Sequence, residues 1–152
     1  MLKLALLLLV LLALAVVLYI RFAPSDPQVW HVDPLTAEKP ATPNAFLLRP
    51  GTGKYPAPEF AVSATALAAA FDDLVLRERH VTRLAGAPDG LWATYVARTP
   101  VMGYPDYVSV KFIPLASDRA TVAIFSRARF GYGDRGVNRR RVLGWIKSLS
   151  AP

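Results

Sequence analysis

The first twenty residues constrain this chain more than any other segment, because they are almost entirely apolar. The run from Leu4 to Ile20 has 17 residues without a charge, and nine of them are Leu. At about 1.5 Å per residue, a helix of this length spans roughly 26 Å, which is the short end of a bilayer crossing. Its thirteen Leu, Val and Ile side chains favour insertion by roughly 4 to 8 kcal/mol. Because the run has no polar stripe, it predicts a membrane segment and not a helix of a soluble core.

The residues after the run distinguish an uncleaved anchor from a cleaved secretory signal. A signal needs small residues at the cleavage site, whereas this chain has Arg21 there and Pro24 shortly after it. We therefore predict that residues 1–23 form an uncleaved transmembrane helix, with a cleaved signal as the alternative. Lys3 and the terminal amine favour a cytoplasmic N-terminus. That orientation places the remaining chain outside the cytoplasm, in the periplasm of a bacterium.

A proline-rich segment follows the apolar run. Eight of the thirteen prolines fall between residues 24 and 58, a density that disfavours helix and central strand and favours extended chain. Two apolar patches in this segment, at 29–30 and 45–48, are expected to dock onto the domain that follows. Residues 51–54 read Gly-Thr-Gly-Lys, like half of a phosphate-binding loop, but lack the strand and helix that such a loop needs.

Periodic patterns in the second half of the chain indicate a domain of mixed helix and strand. Ser63 is typical of a helix N-cap, and apolar residues recur after it at helical spacing to about residue 76. The predicted fold is α+β: an N-terminal transmembrane helix, then a four-stranded antiparallel sheet packed with two helices. The remaining predicted elements are strands at 80–84, 91–99, 107–115 and 119–130 and a final helix at 137–149. In chain order, we predict a transmembrane anchor at 1–23, a proline-rich stalk at 24–60 that partly wraps the domain, and the α+β domain at 61–152.

Two stretches are more specific than the rest of the sequence. Residues 98–106 read Arg-Thr-Pro-Val-Met-Gly-Tyr-Pro-Asp, and residues 126–141 are rich in glycine and arginine. Together they resemble the domain of unknown function 1499 (DUF1499) family over about residues 43–149. The resemblance implies the family's fold and no mechanism, because the family has no established biochemical activity. The residues that fall in its pattern are Arg98, Thr99, Gly103, Pro105, Asp106, Gly131, Gly136 and Arg141, together with Asp134 and Asn138.

The second stretch also predicts an anion-binding site on physical grounds. It reads as a strand, a glycine-rich turn and the start of a helix, where unpaired N–H groups and the helix dipole favour a negative charge. Positions 119–147 hold eight basic residues and one acidic residue, whereas positions 22–118 hold eight basic and ten acidic residues. The alternative is that Asp134 caps the helix and pairs with one arginine while the other arginines are only solvated. The candidate residues for phosphate or carboxylate binding are Arg127, Arg129, Asp134, Arg135, Asn138, Arg139 and Arg140.

Other chemistry has few candidate residues. The chain has no cysteine, which excludes disulfides, thiolate zinc sites and cysteine nucleophiles. Its two histidines, His31 and His80, lie among prolines and at the start of a predicted strand, where surface positions are typical. We predict no catalytic residue, no metal site and no cofactor. The net charge of +7 suits nucleic acid, but the extracytoplasmic location and the lack of interleaved aromatic residues argue against it.

Three functions from different classes are compatible with these patterns. We favour a membrane-anchored envelope domain, a binding or accessory module that contacts an anionic group of a lipid or another envelope component. An enzyme acting on a phosphate- or carboxylate-bearing envelope substrate is the alternative, with Asp106 or Asp134 as the acid or base. A structural subunit that meets other membrane proteins would instead expose an apolar patch. A concave site that contains either aspartate would discriminate in favour of the enzyme.

Overall fold

The structure is a computed structural model that describes residues 1–51 and 55–150, so part of the Gly-Thr-Gly-Lys run lies outside the described residues. Helix α1 (Leu2–Phe22) begins the fold, and most of its side chains are exposed. In the described chain it is the one helix long and apolar enough to cross a membrane. At its C-terminal end, by contrast, Ile20 and the adjoining Ala23 are buried. The helix therefore projects from the domain along most of its length and packs against it at one end.

Six antiparallel strands form the sheet in the part of the chain that the structure describes. Their order across the sheet is β1, β6, β5, β4, β3, and β2 pairs with β6 beside β1. The last four strands in the chain are the four that the sequence predicts, with ends shifted by a few residues. In chain order the strands are β1 (Ala45–Leu48), β2 (Glu59–Phe60), β3 (Val81–Ala87), β4 (Trp92–Arg98), β5 (Pro105–Ala116) and β6 (Arg119–Ala128).

The prediction of four strands was wrong, because the proline-rich segment supplies two more. β1 lies along β6 with Leu48 opposite Ile124, and β2 continues along the same edge with Phe60 opposite Ala120. Both strands are short and show no alternating pattern by which the sequence identifies a strand. They form because β6 would otherwise present a row of unpaired backbone N–H and C=O groups at the sheet edge.

Two helices cover one face of the sheet, at the positions predicted from the sequence. Helix α3 (Ala64–Leu76) begins at Ser63, whose hydroxyl accepts a hydrogen bond from the Ala66 amide at 3.2 Å. Helix α4 (Val137–Leu149) is the last element. Phe71 of α3 is fully buried between them, with its ring centroid 5.6 Å from that of Trp145 on α4. These contacts place the hydrophobic core between the sheet and the two helices.

The other face of the sheet is covered by the residues that follow α1. We call residues 24–37 the strap, which includes the one-turn helix α2 (Pro27–Trp30). Trp30 stacks on Tyr107 of β5 with ring centroids 3.8 Å apart, whereas its neighbour Val29 is 57% exposed. Of the patch at 29–30, Trp30 is therefore the residue that docks. The division of the chain at residue 60 stays a prediction.

Candidate functional site

A buried ion pair joins the sheet to the last helix. Asp106 at the start of β5 accepts a hydrogen bond from Arg141 of α4 at 2.9 Å, and their side chains are 7% and 13% exposed. Burial raises the pKa of Asp106, and the charge of Arg141 opposes that rise. The pair links residues 98–106 to residues 126–141, the two stretches on which the family resemblance rests. Most of β5 and β6 lies between Asp106 and Arg141 in the chain.

Asn138 extends this pair into a buried polar network. Its side chain is fully buried and accepts hydrogen bonds from Arg141, at 3.0 Å, and from the Ser126 hydroxyl. Its amide group donates to the backbone carbonyl of Asn44 at 3.3 Å. Asn44 in turn donates to the carbonyl of Gly131 at 2.6 Å. The network ties α4, β6 and the residue before β1 to the glycine-rich turn.

Asp134 caps the start of α4. Its carboxylate accepts from the backbone amides of Gly136 and Asn138, at 2.8 and 2.7 Å, and from the Asn138 side chain at 2.9 Å. Burial acts to raise the pKa of Asp134, but these hydrogen bonds outweigh it and hold the pKa below its ordinary value. The carboxylate thus lies at the helix N-terminus, where the sequence predicted an external anion as one of two possibilities.

An open cleft of about 430 Å³ lies beside this network, and we call it the junction cleft. It forms where the end of α1 meets the loop before β5 and the turn after β6. Two carboxylates line it, and no basic side chain of the described residues does. Four of its lining residues belong to the family-like pattern. The lining consists of Ile20, Thr99, Tyr104, Asp106, Ala128, Phe130, Gly131, Gly133, Asp134 and Val137.

The first family-like stretch holds the end of α1. Arg98 donates from Nη1 to the carbonyls of Arg21, at 3.1 Å, and Gly103, at 2.9 Å. Gly103 has a φ of +72°, and a Cβ added there would lie 3.2 Å from Cγ of Arg21. Thr99 closes the turn, accepting from the Gly103 amide through its carbonyl at 3.0 Å and from the Tyr104 amide through its hydroxyl at 2.9 Å. Sequence reasoning missed this role, because nothing in the local pattern connects these residues to position 21.

The seven candidate anion-binding residues do not form one cluster, because the sheet separates them. Arg127 lies on the strap side, where Nη2 donates to the Trp30 carbonyl at 3.1 Å and burial lowers the pKa of the guanidinium to about 10. Arg129, also on that side, donates to the Pro24 carbonyl at 2.6 Å. Asp134 and Asn138 belong to the cap and network described above. The exposed members, at the turn and the first turn of α4, are Arg135, Arg139 and Arg140.

The histidines take structural positions. His31 stacks on Trp92 with ring centroids 3.9 Å apart and hydrogen-bonds Thr94 at 2.8 Å, and burial lowers the pKa of its imidazole. His80 is exposed. Among the residues described, no group of three or more His, Cys, Asp or Glu is placed to hold a metal ion.

Comparison with known proteins gives one match. The model of the family described as "Protein of unknown function (DUF1499)" matches residues 36–149, which is well over half of the chain. No curated protein and no solved structure matches the chain at a significant level. The match contains both stretches on which the resemblance rests, and it begins within the strap. The chain therefore belongs to the DUF1499 family.

Proposed function

We propose that this protein is a single-pass membrane protein whose α+β domain lies directly on the membrane surface, outside the cytoplasm, and binds anionic groups there. The observation that carries the proposal is the packing of the end of α1 into the domain. Ile20 is 6% and Ala23 2% exposed, while the leucines earlier in α1 have about half or more of their surface exposed. A helix whose side chains are exposed along most of its length and buried at its C-terminal end is suited to contact lipid along its length and protein at that end.

The attachment of α1 leaves little room for a flexible stalk. Arg98 holds the carbonyl of Arg21, Arg129 holds that of Pro24, and the Ser25 hydroxyl lies 2.8 Å from the Tyr107 hydroxyl. With α1 across a bilayer, these contacts hold the domain against the end of the helix, next to the headgroups. The domain is then a membrane-surface module and not a domain held at a distance.

The arginines at this junction are suited to anionic headgroups. Within residues 1–51 and 55–150, the four ion pairs take up Arg83, Lys111, Arg119 and Arg141. The hydrogen bonds of Arg21 and Arg98 go to backbone carbonyls, which leaves their charges without a carboxylate partner. A basic residue near an anionic membrane contributes about 1 kcal/mol of attraction. Anionic lipid is therefore the partner that we propose for this surface.

The enzyme alternative receives less support from the geometry. The junction cleft does contain both Asp106 and Asp134, as an acid or base would require. The arginines that were to hold an anionic substrate lie elsewhere, however, and two carboxylates repel a phosphate or carboxylate group. We therefore favour a binding module over a hydrolase of anionic substrates.

Fractionation and cysteine labelling of the full chain test the proposed topology. We expect the intact chain to stay in the membrane pellet after extraction with alkaline carbonate. Because the natural sequence has no cysteine, single substitutions report on topology without background. An impermeant maleimide should label Glu38→Cys, at an exposed position directly after the strap, in intact cells, and label the matched variant Lys3→Cys only after permeabilisation. A soluble, shortened chain would refute the anchor, and the reverse labelling would refute the orientation.

A further inference from the structure

We infer that the junction cleft binds the headgroup of a phospholipid that ends in a primary ammonium, with the lipid's acyl chains lying along α1. This inference rests on the proposed insertion of α1 in a membrane. It adds a ligand class for the cleft, which the anionic-surface proposal does not address.

The position of the cleft puts it at headgroup level. Ile20 lines the cleft from the last turn of α1, two residues before the helix ends at Phe22. A lipid that packs its chains against the exposed leucines of α1 therefore brings its headgroup to the cleft mouth. At about 430 Å³, the cleft is within the size range of sites for small ligands.

The walls of the cleft suit the amphipathic part of such a lipid. Phe130 contacts Tyr104 edge-on, with ring centroids 6.2 Å apart, and contacts Tyr19 of α1 in the same manner at 6.1 Å. Aromatic rings of this kind are enriched where a membrane meets water. Ile20 and Val137 complete an apolar lining beside the carboxylates. The ring series runs from the membrane helix into the cleft.

The polar lining of the cleft accepts hydrogen bonds and carries negative charge. Arg141 donates to Oδ2 of Asp106, and no described residue donates to Oδ1. Asp134 accepts from the amides of Gly136 and Asn138, from the Asn138 side chain and from its own amide, so Oδ1 of Asp106 is the acceptor left for a ligand and Asp134 supplies negative charge. A ligand that matches these acceptors brings N–H donors and positive charge. A primary ammonium has both, a quaternary ammonium has no N–H, and an anionic headgroup is repelled.

The phosphate of the same lipid has a separate partner nearby. Arg21 is exposed at the end of α1 and makes one hydrogen bond, at 3.4 Å, to the Val101 carbonyl. Its guanidinium lies against Val101 and Gly103, in the loop whose ends, Thr99 and Tyr104, line the cleft. The ammonium in the cleft and the phosphate at Arg21 together match a zwitterionic headgroup.

Lipid retention by the full chain tests the inference. The chain is placed in nanodiscs that contain equal amounts of phosphatidylethanolamine, phosphatidylcholine and phosphatidylglycerol with identical acyl chains. Lipids that remain after release into mild detergent are counted by native mass spectrometry. We expect phosphatidylethanolamine to be retained over phosphatidylcholine, which differs from it only in the methylation of the ammonium, by about tenfold, the factor that one charge-assisted hydrogen bond supplies. Retention of phosphatidylglycerol over phosphatidylcholine reports on the anionic surface of the proposed function.

Two variants and one control connect that preference to the cleft. Asp134→Asn removes the charge, and Ala128→Leu fills the cleft while keeping both carboxylates. Each should bring the preference to within about twofold of unity, since either change removes the charge-assisted bond. Asp118→Asn makes the same charge change at an exposed hairpin turn and should leave the preference intact. Thermal melting of each variant identifies a failure to fold. Because Ala128→Leu and Asp134→Asn change different properties of the cleft, either one tests the inference if the other does not fold.

The outcomes of this experiment distinguish a failure of the headgroup site from a failure of the proposed membrane insertion of α1. A chain that does not remain in the nanodisc refutes both. A chain that remains but retains phosphatidylethanolamine and phosphatidylcholine equally refutes the headgroup site alone, whatever its retention of phosphatidylglycerol. A preference for phosphatidylethanolamine that is unchanged in both cleft variants places the lipid elsewhere and overturns the inference.

Discussion

Asn138 shows how one buried side chain joins distant parts of the sequence. It touches Ser126 on β6, Arg141 on its own helix, Asp134 in the preceding turn and the carbonyl of Asn44. The sequence suggested Asn138 as an anion ligand, since it lies at the start of a predicted helix. The capping role falls to Asp134, because Asn138 lies inside the helix with its side chain directed into the interior.

Gly136 gives a residue-scale prediction about stability. Its φ of +77° lies in the left-handed region, and a Cβ there would lie 3.3 Å from Nη1 of Arg140. Gly136→Val should lower the free energy of unfolding by about 1 to 2 kcal/mol, the cost of left-handed backbone for an L-residue. Gly144→Ala is the matched control, because a Cβ there meets nothing within 4 Å. Thermal melting that shows equal stability for Gly136→Val and the natural chain would contradict this account.

The strap is the element whose role differs most from its appearance in the sequence. A run of prolines after a membrane segment is typical of an extended linker. In the structure, its polar groups pair with the sheet: Asp33 forms an ion pair with Lys111, and the Trp30 carbonyl accepts from Ser109 at 3.3 Å. These contacts give the sheet a covered second face. Proline density therefore indicated the absence of regular structure here, but not the absence of packing.

Replacement of Trp30 tests the contribution of the strap to the fold. Trp30 stacks on the fully buried Tyr107 and lies under the guanidinium of Arg127, 5.0 Å from its ring centroid. Trp30→Ala should lower the free energy of unfolding by about 2 to 4 kcal/mol, since it removes a partly buried aromatic side chain and its stacking. Chemical unfolding of the full chain in detergent measures the change.

The adjacent residue supplies the control for that substitution. Val29→Ala alters an exposed neighbour on the same short helix and should change the stability by less than about 0.5 kcal/mol. If the two variants unfold at the same denaturant concentration, the strap does not stabilise the domain through Trp30.

At the scale of the whole molecule, charge is distributed unevenly. Eight of the eighteen basic residues lie in positions 119–147 with one acidic residue. The fold places some of them on the strap face, as with Arg127, and others around the start of α4, as with Arg139 and Arg140. The latter two are exposed, and their side chains hydrogen-bond Tyr55 at 3.4 Å and the Arg135 carbonyl at 2.8 Å.

Vesicle binding tests whether this charge meets a membrane. A fragment of residues 24–152, once shown to melt cooperatively, should bind anionic vesicles, and salt should weaken binding because screening acts within about 8 Å at physiological ionic strength. Arg139→Gln with Arg140→Gln should reduce the affinity roughly thirtyfold, since each arginine contributes about 1 kcal/mol. Lys39→Gln with Arg79→Gln removes the same charge at exposed sites outside positions 119–147 and should have the smaller effect. Equal losses in the two double variants would mean that net charge alone attracts the fragment.

The sequence by itself determined the elements whose signal is local. The apolar run predicted α1, the Ser63 cap and the helical spacing predicted α3, alternation predicted β5 and β6, and the glycine- and proline-containing turn at 86–90 separated β3 from β4, since each of these patterns is local. The glycine-rich turn before α4 was identified for the same reason, and Gly136 in it has a left-handed backbone.

Only the tertiary structure decided how those elements meet. β1 and β2 exist because the edge of β6 needs partners, and Trp30 docks because Tyr107 lies opposite it, more than 70 residues away in the chain. The tertiary structure also decided that Arg98 and Gly103 contact the end of α1. It likewise placed Arg127 and Arg139 on opposite sides of the sheet. Such contacts depend on which surfaces the fold brings together, and no local periodicity encodes that choice.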